Sequence, residues 1–197
     1  MKKSLLFLVI FFLVFASCKK DSGSKISIQV KDAITNSPVN GATVGLLRCM
    51  PSDPLCGLIA YRTNITGDDG SCSFNKDDFD QTKQTQASGA GYWGVTVIKS
   101  MLMYIYPEGW MRLRIIKGTG YPSQSRLKIT MNYIAASLSF YTECNAAADS
   151  SILIRSIGGV TNKIDWQVVD PSNSLLNSGT WGQQIPRMDT VNAILNY

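Results

Sequence analysis

Lys25-Ile26-Ser27-Ile28-Gln29-Val30 alternates apolar and polar side chains without a break, which sets Ile26, Ile28 and Val30 on one face and Ser27 and Gln29 on the other. A period of two marks a half-buried strand, because successive side chains of extended backbone leave on opposite sides. The alternation returns along the whole chain. It recurs at Ala42, Val44 and Leu46, at Trp93, Val95 and Val97, at Met111, Leu113 and Ile115, and at Leu127, Ile129 and Met131. Further runs carry Leu138 and Phe140, Ile152 and Ile154, Ile164, Trp166 and Val168, and finally Val191, Ala193, Leu195 and Tyr197. Leu58 to Thr63 and Met101 to Tyr106 are rich in β-forming residues as well. No stretch beyond the amino-terminal leader shows helical spacing, so the expected fold class is all-β.

Turn-forming clusters divide these runs. Asp32 to Pro38, Asp170-Pro171-Ser172-Asn173 and Gly158-Gly159 read as turns, and Thr66-Gly67-Asp68-Asp69-Gly70 reads as a hairpin turn in which Gly70 supplies a positive φ. Asn75 to Gly91 reads as a polar loop. Pro107-Glu108-Gly109 reads as one more turn and as a domain boundary, dividing the chain into two tandem β-sandwiches over 25–108 and 109–197.

Composition narrows the chemistry. The chain has no histidine, which excludes Ser-His-Asp and Cys-His nucleophile activation and most catalytic zinc sites. Two lysines stand in the first three residues; without them 17 basic side chains face 14 acidic ones, a balance of +3 that implies no nucleic-acid partner. Glutamate occurs only at Glu108 and Glu143, and no pair of carboxylates has a motif that recommends it for glycoside hydrolysis. No enzyme activity and no cofactor are expected.

The leader is informative about compartment. Lys2 and Lys3 precede an apolar run from Leu5 to Phe15, too short for the roughly 20 residues of a membrane-spanning helix, and Ala16-Ser17 places small residues before Cys18. Val14-Phe15-Ala16-Ser17-Cys18 resembles the bacterial lipobox, which implies a signal peptide over 1–17, an acylated Cys18 and a polar tether over 18–24. More than one acyl chain holds a protein stably on a membrane. The expected localisation is therefore lipid-anchored, at the outer membrane or cell surface.

Val30-Lys31-Asp32-Ala33-Ile34-Thr35-Asn36-Ser37-Pro38-Val39-Asn40-Gly41-Ala42-Thr43-Val44, followed by Thr66-Gly67-Asp68-Asp69-Gly70-Ser71-Cys72-Ser73-Phe74, resembles the opening of a carboxypeptidase-regulatory-like domain. That resemblance implies a prealbumin-type β-sandwich in the first half. It implies little about function, since such domains serve as structural, adhesive or docking modules.

Several residues are candidates for function. Cys49 and Cys56 bracket a loop stiffened by Pro51 and Pro54 and are expected to form a local disulfide; Cys72 and Cys144 are expected to be free thiols. Asp77, Asp78 and Asp80 are either a solvated cluster or ligands for a hard cation such as calcium, the solvated reading being preferred. Arg112, Arg114, Arg126 and Lys128 point away from their apolar rows, and would form one basic patch if the two strands pair across the Gly118 to Pro122 loop. Such a patch is either a solubilising face or a site for acidic glycans or lipid headgroups. Trp110, Tyr121, Tyr133 and Trp181 are placed in or beside loops, where they either stack on sugar rings or plug the sandwich ends. Asp189-Thr190-Val191 resembles an O-glycosylation acceptor of some bacterial surface proteins. The whole layout resembles small surface lipoproteins of diderm bacteria and implies a non-catalytic binding or scaffolding module for a glycan or protein partner. The alternatives are an accessory subunit of an outer-membrane complex and, third, a glycan-active enzyme.

Overall fold

The computed structural model describes residues 23–132, 139–146 and 148–197. Met1 to Ser22, and with them the leader, Cys18 and most of the tether, lie outside the described residues, as do Tyr133 and Leu138.

The chain is nearly all β. Its strands are β1 (Lys25–Asp32), β2 (Thr43–Cys49), β3 (Leu58–Ile65), β4 (Ser71–Asn75), β5 (Gln84–Ser88), β6 (Tyr92–Trp93) and β7 (Val95–Ile98). They continue as β8 (Leu102–Ile116), β9 (Arg126–Asn132), β10 (Ser139–Asn145), β11 (Ser150–Ile157), β12 (Val160–Val169), β13 (Leu175–Ile185) and β14 (Thr190–Asn196). One short helix, α1 (Lys76–Asp80), follows β4. Asn75 to Gly91 is thus not a loop: it holds α1 and β5, and Phe79 of α1 is buried.

Three sheets form. One has the order β3-β2-β5-β7 and another β10-β9-β12-β13; the third runs β11-β8-β1-β4, with β14 and β6 also paired to β8. The apolar rows of these sheets fill two cores. The first gathers Ile28 and Val30 of β1, Val44 and Leu46 of β2, Phe74 of β4 and Met103 and Ile105 of β8. The second gathers Met111, Leu113 and Ile115 of β8, Ile154 of β11 and Leu195 of β14 against Leu127, Ile129 and Met131 of β9 and Ile164 and Val168 of β12.

β8 belongs to both cores, and this corrects the turn expected at Pro107-Glu108-Gly109. Those three residues are the middle of one 15-residue strand whose odd-numbered side chains all face inward, from Met103 through Pro107 and Gly109 to Ile115. Hydrogen bonds on both sides hold this segment extended. Glu108 donates its N–H to Gly91 (2.7 Å) and accepts from Met188 (2.6 Å), Pro107 accepts from Gly158 (2.8 Å), and Trp110 donates to Asp189 (2.9 Å). Gly109 is small because its surroundings are tight: a Cβ there would stand 2.6 Å from Ile185 Cγ2 and 2.8 Å from Gly158 Cα.

Two further expectations change. Gly70 does adopt a positive φ of 71°, but Thr66 to Gly70 does not close a hairpin. β3 pairs with β2 while β4 pairs with β1, so the turn carries the chain from one sheet to the other. The run containing Trp93, Val95 and Val97 is divided at Gly94: β6 joins β8, and β7 joins β5 in the facing sheet.

Side chains buckle the two cores together around the middle of β8. Arg187, just before β14, donates to the buried carboxylate of Asp32 at the end of β1 (2.5 Å) and lies 3.4 Å from the Tyr92 hydroxyl. Arg155 of β11 pairs with Glu108 and places its guanidinium carbon over Trp93, 4.1 Å from the ring centre. Trp93 in turn donates its indole N–H to Ser156 O (2.9 Å).

Candidate functional site

The outward face of the second half of β8 is the strongest candidate. Since Met111, Leu113 and Ile115 face the core, the period of two turns Arg112 and Arg114 to solvent. The flanking strands supply their neighbours by register. Arg112 lies between Leu153 of β11 and Asn192 of β14, and Arg114 between Ser151 and Ile194. All of these side chains except Leu153, with Asp149, Ser150 and Ala193, surround an open depression of about 460 Å³. Ile194, which lines it, is 60% exposed, and Leu153, beside Arg112 on β11, is 54% exposed.

Two unpaired arginines on one strand characterise this face. Among the described residues neither Arg112 nor Arg114 has an ion-pair or hydrogen-bond partner. Asp149, the acid at the edge of the depression, accepts the Lys117 N–H through Oδ1 (2.9 Å). The two guanidinium groups are therefore without partners among the described residues, in a setting of hydroxyl and amide groups with the Asp149 carboxylate at its edge.

Arg126 and Lys128 do not join them, so the single basic patch expected from the sequence is corrected to two separate faces. β9 pairs with β10 and β12 and never with β8. The 117–125 connection crosses between sheets, and β8 and β9 turn their apolar rows toward one another across the second core, so their cations point in opposite directions. On that opposite face the charge is already matched. Arg126 lies 3.3 Å from Glu143 and 2.5 Å from Asn173 Oδ1, and Lys128 lies 3.9 Å from Glu143. The hydrogen bond from Tyr141, helped by these cations, holds the Glu143 carboxyl below the usual carboxylate range.

The four aromatic candidates separate in the same way. Trp110 is in the middle of β8 rather than beside a loop, between Arg155 and Thr190. Trp181 is also a strand residue, opposite Ile164 in β13 and packed on the second core. Tyr121 is in the 117–125 connection, where its hydroxyl accepts from Asn177 Nδ2 (2.7 Å) and its ring stands 5.9 Å from that of Tyr197. Tyr197 stands 5.9 Å from Trp166 and donates its hydroxyl to Ala146 O (2.6 Å), so these rings pack together against the second core. Tyr133 lies outside the described residues.

The remaining candidates are structural in setting. Cys49 and Cys56 are joined by a disulfide that closes the tip of the β2–β3 connection, where Asp53 accepts the N–H groups of Leu55 (2.9 Å) and Gly57 (2.7 Å). Cys72 is a buried free thiol whose burial pushes it up to about 11; Cys144 is a half-buried thiol, also raised by burial. Asp78 lies 3.2 Å from Arg62, and Asp80 pairs with Lys76 and lies 3.6 Å from Lys99. Among the described residues no group of three or more metal-ligating side chains stands together.

Sequence reasoning missed Ser151, Leu153, Asn192 and Ile194 as neighbours of the arginines. Their alternation with Ile152, Ile154 and Ala193 does turn them outward, but nothing local says that β11 and β14 are the strands on either side of β8.

No family model matches the chain, and no curated protein does. Among solved structures it is similar to a leucine-rich repeat protein from Bacteroides thetaiotaomicron, at 9% identity and a TM-score of 0.33 over 88% of this chain and 26% of that one. It is also similar to a streptococcal ancillary pilin, at 14% identity and a TM-score of 0.31 over 88% and 62% of the two chains. The shaft pilin SpaA from Lactobacillus rhamnosus GG gives 8% identity and a TM-score of 0.30 over 88% and 96%. The chain thus spans about a quarter of the length of the first of these proteins. TM-scores at this level carry neither fold nor function from those proteins to this one.

Proposed function

We propose that this protein is a non-catalytic surface lipoprotein, acylated at Cys18, that holds two β-sandwich units in a fixed line away from a membrane and presents the outer one to a glycan or protein partner. The observation that carries this reading is the unbroken β8. At roughly 3.3 Å per residue its 15 residues span about 50 Å. β1 runs parallel to β8, with Gln29 beside Leu102 and Asp32 beside Ile105, so Lys25, where β1 begins, lies at the end remote from the second core. A shared strand, the Asp32–Arg187 link and the Arg155–Trp93 stack together resist bending between the two units. Such a frame suits a spacer that carries a binding surface outward, and a chain without histidine lacks the commonest means of acid–base catalysis near neutral pH.

Mass spectrometry of the protein extracted from its native membrane tests the anchor. Acyl mass on Cys18, with release into the soluble fraction on Cys18→Ala substitution, is the expected result. A native product that is freely soluble and carries no lipid mass would sink the proposal.

A further inference from the structure

We infer that the depression around Arg112 and Arg114 binds an acidic polysaccharide, a sugar polymer bearing carboxylates. This rests on the reading of the chain as a presenting module, and names what the module presents itself to. Arg112 and Arg114 stand two residues apart on one strand, a backbone spacing of about 7 Å at the usual rise, and their guanidinium groups are unpaired among the described residues. Guanidinium is a planar fork of donors that matches a carboxylate bidentately. The setting between and beside them matches a sugar rather than a bare anion. Ser151 and Asn192 offer neutral groups to hydroxyls, while exposed Leu153 and Ile194 offer aliphatic surface to the C–H faces of pyranose rings. The depression is open across three strands, so a polymer can pass over it without a terminus having to enter.

A membrane fits less well. Recognition of an anionic leaflet commonly uses clusters of about four to eight cations, whereas two are available here. The two aliphatic side chains lie within β11 and β14 on either side of β8, not on a protruding tip that could enter the headgroup layer.

Isothermal titration of the full chain in neutral detergent provides the test, with polygalacturonate, dextran and mixed micelles containing phosphatidylglycerol as the three probes. Polygalacturonate is expected to bind with an affinity that falls as salt rises, and dextran to give no heat. Arg112→Ala with Arg114→Ala is expected to weaken binding about tenfold or more, as loss of a charge-assisted contact does. The lysine pair at the same positions should fall between, and Arg126→Ala with Lys128→Ala should bind as the parent does. The outward arginines contribute nothing to either core, so a thermal melt of the double variant should match the parent and exclude misfolding. Equal binding by the double variant, equal binding of dextran, or tighter binding of the phosphatidylglycerol micelles overturns the inference. Because the titration requires no acyl group, its failure is distinguishable from a failure of the anchoring proposal.

Discussion

Asp32 and Arg187 are 155 residues apart in the chain, yet the carboxylate of one accepts from the guanidinium of the other at 2.5 Å. Asp32 is only 1% exposed, and its other oxygen accepts the N–H groups of Ile34 (2.8 Å) and Thr35 (2.9 Å), so the carboxylate both shapes the turn after β1 and ties it to the residue before β14. Removing it leaves two partly buried N–H donors without that acceptor and the guanidinium without its carboxylate. Asp32→Ala is expected to cost about 2–4 kcal/mol, and Arg187→Met less, because the guanidinium is partly exposed. Calorimetry should show one transition for the parent and a broadened or divided one for Asp32→Ala. An unchanged melting temperature would remove the link from the account of how the two cores are held.

Gly109 tests the continuity of β8 directly. A methyl group there meets Ile185, Pro186 O and the backbone of Gly158, all under 3 Å, and backbone cannot rotate aside as a side chain can. Gly109→Ala is expected to destabilise by about 1–3 kcal/mol, the usual range for overpacking. Denaturant unfolding followed at both cores should report the loss in each; a loss confined to one would show that β8 does not couple them.

The C-terminal strand is the next case. β14 contributes Ala193 and Leu195 to the second core and pairs in parallel with β8 from Thr190 to Asn196. Leu195→Ala should cost about 2–5 kcal/mol, as deletion of a buried leucine side chain does, and removal of Thr190 to Tyr197 should unfold the second core. Hydrogen exchange would then show lost protection in β9 and β12 with β2 and β5 still protected. Retained protection in β9 and β12 after the deletion contradicts the assignment.

Cys72 makes stability depend on pH in a definite direction. Burial raises its thiol from an ordinary value of 9.0 to about 11, so the folded chain keeps it neutral where the unfolded chain would ionise it. The folded value is the higher, so this contribution is complete below about pH 9 and is lost as the pH rises from there toward about 11. Over that interval the urea midpoint of the parent should fall more steeply than that of Cys72→Ala. Iodoacetamide should leave Cys72 unmodified in the native protein at pH 8 and label it after unfolding. Native labelling at the rate of an open thiol would show that the side chain is not buried as described.

The parity of the sequence reads through more of β8 than turn chemistry suggests. Met103, Ile105, Met111, Leu113 and Ile115 are all odd-numbered, and an unbroken strand preserves that phase while an intervening turn has no reason to. Pro107 and Gly109 are ordinary turn residues and outweigh this hint when read locally. Here they stay extended because Gly91, Gly158 and Met188 complete the hydrogen bonds on either side.

What the sequence determined by itself is the all-β class and, for most strands, which side chains face inward. Alternation is a property of a single extended segment and needs no partner. Which strands lie beside one another was decided only in three dimensions, because backbone donors and acceptors are the same in every strand and any edge can in principle accept any other. That choice placed Leu153 and Ile194, rather than β9, beside Arg112 and Arg114, and sent Arg126 and Lys128 to Glu143 on the opposite face. A row of cations legible residue by residue thus became one neutralised face and one free one, through packing that no local pattern records.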